Sequence, residues 1–123
     1  MSQLQTVTIP VAAIAGTVLQ PLFRVPQGGT GTYLFGGITI QKAYLLSSGA
    51  ATSEMQLLSG TALGTAHTGT IGTLNGTMVA NVQQAFTIST AYVASGKWIL
   101  LKTNAGGSLA TTNVVIIEFA WGK

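Results

Sequence analysis

Asn113-Val114-Val115-Ile116-Ile117-Glu118-Phe119-Ala120-Trp121 is the stretch that decides the fold. β-Branched and aromatic residues fill it, the side chains that sit best on a pleated, half-buried surface. Successive side chains of a strand point to opposite faces. Val115, Ile117, Phe119 and Trp121 therefore share one face. Val114, Ile116 and Ala120 share the other, with Glu118 as its only charge. A strand that is apolar on both faces needs cover on both. That cover can come from the same chain, by a long loop for example, or from another subunit. Both explanations stay open at this point.

Working back from this strand, the same period-two alternation recurs in short runs separated by Gly, Ser, Thr and Asn. Residues 97–103 are apolar almost throughout. Residues 38–46 read Ile38, Ile40, Tyr44 and Leu46 on one face, with Thr39, Gln41 and Ala43 on the other. Residues 17–25 set Leu19, Phe23 and Val25 on one face together with Pro21. Residues 5–11 alternate Val7, Ile9 and Val11 against Thr6 and Thr8. Proline cannot donate to a ladder, so Pro10 and Pro21 place their strands at an edge or a bend. Shorter runs at 32–35, 54–58 and 78–89 complete the set, with 85–89 the surest part of the last. No window shows a capped helical stripe. About eight short strands at this spacing predict an all-β fold, an antiparallel, jelly-roll-like β-sandwich. Residues 1–16 are expected as an N-terminal arm or edge strand, and residues 17–123 as one β-sandwich domain.

Composition narrows the function. The chain has 123 residues, 47% of them hydrophobic and only 6% charged, with no cysteine. Charged residues make up roughly a quarter of an ordinary soluble protein. The net charge of +3 comes from a handful of scattered residues. Nucleic-acid binders carry clustered Lys and Arg, so no nucleic-acid partner is expected. No apolar run reaches the roughly 18 residues of a membrane-spanning helix, so no membrane partner is expected either. Pro10 and the uncharged Ser2, Gln3 and Gln5 do not fit a signal peptide. Without cysteine there is neither a disulfide framework nor a thiolate metal site.

Candidate sites are few. Gly28-Gly29-Thr30-Gly31 lacks the Gly-Lys-Ser/Thr that opens a helix in a phosphate loop, and reads as a turn. His67 is the only histidine and there is no Asp, so no metal site, cofactor or Ser-His-Asp triad is expected. Glu54 and Glu118 could serve a glycosidase only by facing each other across a cleft. Ordinary pairing of Glu118 with Lys97 or Lys102 is the simpler reading. Trp98 and Trp121 read as packing residues rather than a sugar platform. Gly-Thr pairs crowd residues 60–77, which reads as a long loop or a weak hairpin turning at Asn75-Gly76. Asn75-Gly76-Thr77 also fits the glycosylation pattern, but Asn-Gly is the stronger turn signal. The expectation is therefore a protein that is not an enzyme. Val7, Ile9, Val11, Val114 and Ile116 are its interface candidates. His67, Asn75 and Tyr92 are its loop-contact candidates.

The C-terminal half reads Ala91-Tyr92-Val93-Ala94-Ser95-Gly96-Lys97-Trp98-Ile99-Leu100-Leu101-Lys102, then a Gly-rich turn, then Asn113-Val114-Val115-Ile116-Ile117-Glu118. With Ile38-Thr39-Ile40-Gln41-Lys42-Ala43-Tyr44 upstream, it resembles small β-sandwich proteins of tailed-bacteriophage virions. These include head decoration (cement) proteins and related fibre or spike modules. The chain departs from many charged decoration proteins in its scarcity of acidic residues. The resemblance implies a structural protein on the exterior of a phage head. It would clamp neighbouring major capsid protein subunits and assemble with itself, as a homotrimer. The arm, residues 1–16, would add a strand to a neighbour's sheet. The alternative is a jelly-roll module of a fibre or spike that binds a glycan or receptor.

Overall fold

The structure, a computed structural model, describes residues 4–15, 18–26, 36–49, 54–61, 69–74, 79–103, 108–109 and 112–122. The strands 32–35 and the residues His67 and Asn75 lie outside the described residues. Two antiparallel sheets pack face to face, and no helix occurs among the described residues. The first sheet is ordered β1 (Leu4–Val11), β12 (Asn113–Trp121), β4 (Ile38–Ser47), β7 (Gln84–Ala85), with β9 (Tyr92–Val93) also paired to β4. The second is ordered β3 (Val18–Arg24), β10 (Trp98–Thr103), β5 (Met55–Gly60), β6 (Gly69–Leu74), β8 (Thr87–Ile88). β2 (Ile14–Ala15) and β11 (Ser108–Leu109) form a small ladder of their own.

The long strands cross from sheet to sheet: β1 in the first, β3 in the second, β4 in the first, β5 and β6 in the second. After the short strands, β10 joins the second sheet and β12 the first. The last strand thus lies beside the first, and the next-to-last beside the second. This nested pattern is that of a jelly-roll sandwich. The prolines do what their chemistry requires. β1, with Pro10, and β3, with Pro21, are both outermost strands of their sheets.

The core lies between the sheets. Ile38, Leu45, Val115 and Ile117 of the first sheet meet Leu57, Ile99 and Leu101 of the second, all fully buried. Three register shifts among the described residues help set which residues join it; one leaves the core residue Ile71 as the extra residue of β6, and the other two, in β4 and β3, correct the unbroken alternation read from the sequence. In β4 the register with β12 shifts between Glu118 and Phe119, so that Lys42 faces Glu118 and Ile40 faces Phe119. Gln41 is the extra residue, and an extra residue reverses the alternation. Ile38 and Ile40 therefore point inward, but so do Ala43 and Leu45. Tyr44 and Leu46 turn outward and are only partly buried. In β3 the extra residue is Leu22. Leu19 and Pro21 lie opposite Lys102 and Leu100, on the outer face, while Phe23 lies opposite Ile99 and packs on the core.

Gly69–Leu74 is a strand, within the stretch that the sequence offered as a long Gly-Thr loop or a weak hairpin. It pairs with β5, the two strands being joined through residues 61–68, while the proposed turn at Asn75-Gly76 lies outside the described residues. The run expected to hold one or two strands up to Ser89 holds two short ones, β7 and β8. The chain leaves β4 at Ala85, buries Phe86 with its N–H on the Ala43 carbonyl, and joins β6 at Thr87. It returns to β4 at Tyr92, which seals this side of the sandwich.

Gly72 makes that closure possible. A Cβ there would lie 2.7 Å from the Thr87 carbonyl oxygen and 3.1 Å from Ile88 Cδ1. Backbone cannot swing aside as a side-chain end can, so β8 would have to move. Gly72→Ala is expected to destabilise the fold by about 1–3 kcal/mol, as overpacking does. Urea unfolding measures it, and a change below about 0.5 kcal/mol would show that β8 gives way freely.

Candidate interaction surface

The outer face of the first sheet can be built row by row from the register. Pro10, Val114 and Leu46 form one row across β1, β12 and β4. Thr8, Ile116 and Tyr44 form the next, continued by Ala85 of β7. Thr6, Glu118 and Lys42 follow, then Leu4, Ala120 and Thr39, with Tyr92 of β9 beside Thr39. One end of the face is apolar, and the charge is confined to Glu118 and Lys42. Val114, Ile116, Tyr44 and Leu46 are each partly exposed, and Pro10 is exposed.

A half-open depression of about 180 Å³ lies at the apolar end. Leu46 and Val114 form its apolar wall, and Ser47, Ser48, Asn81 and Thr112 its polar rim. The Asn81 N–H donates to the Ser47 carbonyl at 2.7 Å, which ties the 79–82 turn to the end of β4. Asn81 adopts φ 61°, a left-handed angle that Asn tolerates better than most residues. Val79 and Val82 flank it and are 51% and 45% exposed.

The second sheet is finished differently. Leu58 and Leu100 face each other across β5 and β10 on the side away from the first sheet. They are outside the main core, yet 1% and 0% exposed. The chain itself covers them. It leaves the apolar residues on the outside of the first sheet only partly covered.

The structure divides the interface candidates. Val7, Ile9 and Val11 lie opposite Ile117, Val115 and Asn113 on the inner face; Val11 is in the core, and Val7 and Ile9 pack against it. Their side chains hold β1 to its own sandwich, Val11 buried and Val7 and Ile9 partly exposed. Val114 and Ile116 do face outward and stand side by side. Residues 4–11 occupy the edge-strand position, paired to β12 along their whole length. Of the loop-contact candidates, Tyr92 is partly buried on β9, at the opposite end of the face from the depression. Sequence reasoning missed Tyr44 and Leu46, because only the bulge at Gln41 turns them outward.

The carboxylates are not brought together. Glu118 is on the outer face of the first sheet, and Glu54 precedes β5 in the second. The register neighbour of Glu118 is Lys42, in place of the expected Lys97 or Lys102. No group of three His, Cys, Asp or Glu side chains gathers among the described residues. Trp121 packs on the core edge-on to Phe119, with ring centres 5.5 Å apart. Trp98 instead lies on the outside of the second sheet, opposite Arg24 and Gly60.

Asn113 marks the point where the inner face of β12 turns polar. It is buried, and its Nδ2 donates to the Val11 carbonyl at 3.3 Å, fastening the end of β1. Compared with protein-family models, with curated proteins and with solved structures, the chain finds no match in any of the three.

Proposed function

We propose that this chain is a structural virion protein, a jelly-roll sandwich that decorates a phage head and stabilises it by binding the major capsid protein. The observation that carries this reading is the pair of apolar rows Pro10–Val114–Leu46 and Thr8–Ile116–Tyr44 on an otherwise finished sandwich. Subunit interfaces are built around such desolvated apolar centres with polar rims. Here the rim would be Ser47, Ser48, Asn81 and Thr112 around the depression. A charge content of 6% fits a surface meant to be covered in an assembly. The resemblance to virion sandwiches supplies the setting, the exterior of the head.

The test is co-sedimentation with expanded shells of tailed-phage heads. Val114→Lys and Ile116→Lys each place a charge on the apolar rows without touching the core. Each is expected to weaken binding by at least about tenfold. Wild-type protein that ignores shells, or variants that bind as well as wild type, would overturn the proposal. Glycan binding lost in Tyr92→Ala would then favour the fibre or spike reading.

A further inference from the structure

We propose that β1 is a self-association edge: two copies of this chain pair antiparallel through Leu4–Val11, joining their first sheets into one. The argument begins with Pro10. It lies in register opposite Val114, yet has no N–H to give to the ladder. In an antiparallel pair the residues alternate between those bonding the partner and those whose N–H and C=O point away. Pro10 fits the second kind. The Val11 carbonyl, by contrast, accepts from Asn113 Nδ2 on β12. Val7, Ile9 and Val11 thus bond inward to β12. Leu4, Thr6 and Thr8 aim their N–H and C=O at the open side, where no described strand pairs with them.

An open edge invites pairing, and proteins blunt edges they do not use. Every other outermost strand here is blunted. β7, β8 and β9 are two residues each. β3 carries Pro21, a bulge and Arg24. β1 has a proline of its own, Pro10, which withholds one outward N–H near the end of the strand, but among the described edge strands β1 alone is eight residues long, free of register shifts and without a charge.

The occupant that fits is a second copy. A two-fold contact sets a strand against itself, and an uncharged strand does so without like-charge repulsion. Leu4 is 55% exposed and Pro10 is exposed, at opposite ends of the edge on the same face. With Val7 on the two-fold axis, each Leu4 lands opposite Pro10 of the second copy, and Thr6 opposite Thr8. Leu4 then gains an apolar neighbour, and the Leu46–Val114–Pro10 row runs on across the axis. Such a contact closes as a dimer, not as the trimer that the resemblance implied.

Sedimentation equilibrium of the full chain tests this, together with amide hydrogen exchange. The expected result is a monomer–dimer equilibrium in which the Thr6 and Thr8 amides gain protection as concentration rises. Thr8→Pro removes an outward N–H without touching the β12 ladder, and Thr6→Lys charges the edge. Each should raise the dimer dissociation constant by about tenfold or more while the monomer keeps its circular dichroism. A monomer at all concentrations, a trimer, or a dimer indifferent to Thr6→Lys would overturn the proposal. The virion reading stands apart from it. A dimer that ignores capsid shells sinks that reading alone, and a monomer that coats shells sinks only the edge pairing.

Discussion

Gly37→Ala is expected to lower the free energy of unfolding by about 3–5 kcal/mol, a large share of the roughly 5–15 kcal/mol of a whole domain. Two separate causes add. Gly37 has φ 107°, an angle that L-residues rarely adopt. A Cβ there would also run into the Val93 carbonyl oxygen and lie 3.0 Å from Ala94 Cα. Both obstacles are backbone of the segment that closes the sandwich against β4. Gly122 separates the two causes. It has φ 89°, but a Cβ on it would meet nothing within 4 Å. Gly122→Ala should therefore cost only the backbone term, about 1–2 kcal/mol. The two glycines are also joined, since the Gly122 N–H donates to the Gly37 carbonyl at 2.8 Å, and an alanine keeps that bond. Chemical denaturation of both variants is the measurement. Equal losses would show that the strand end relaxes around the new methyl group and that the close approach is not rigid.

Ile117→Ala and Ile116→Ala form the second comparison, between chemically identical neighbours on one strand. Ile117 is 0% exposed and sits between Val7 of β1 and Ala43 of β4 in the core. Truncating it removes buried methyl groups and leaves a cavity between close-packed sheets, at a cost of about 3–5 kcal/mol. Ile116 sits between Thr8 and Tyr44 on the outer face and is only partly buried. It should cost below about 1.5 kcal/mol. Thermal unfolding should register a fall in midpoint several times larger for Ile117→Ala. If Ile116→Ala were equally damaging, the outer row would be a second core, and the assignment of that face to a partner would fail. On the proposed virion role, the same pair should give opposite results with capsid shells. Substitution at 116 should weaken binding, while Ile117→Ala should act only through stability.

Much of this fold could be read from residues 113–121 and the runs that repeat their period. Strong apolar alternation in 5–11, 38–46 and 97–103 is local physics, because a strand that must bury one face shows it in its own side chains. The edge positions of β1 and β3 were equally legible, since a missing N–H is a property of proline wherever it stands. Gly69–Leu74 was not. Its Gly-Thr alternation carries little apolar contrast, so its pairing with β5 and β8 has no local signature. The surface was legible only in part. Val114 and Ile116 were visible as a surplus apolar face, whereas Val7, Ile9 and Val11 looked the same in sequence and point inward, Val11 into the core and Val7 and Ile9 against it.

The chain by itself thus determined that it would build antiparallel sheets, that its last strand would be apolar on both sides, and that few charges would be available to cover them. Only the tertiary structure decided which side of β12 is inside. Both sides are apolar, so the choice falls to the neighbours. β1 brings Val7, Ile9 and Val11 into register with Ile117, Val115 and Asn113. The extra residue at Gln41 turns Leu45 inward beside them and sends Tyr44 and Leu46 out. A bulge is one residue of surplus chain between two registers. It has no meaning until the partner strand is in place, and here it decides which apolar side chains face outward.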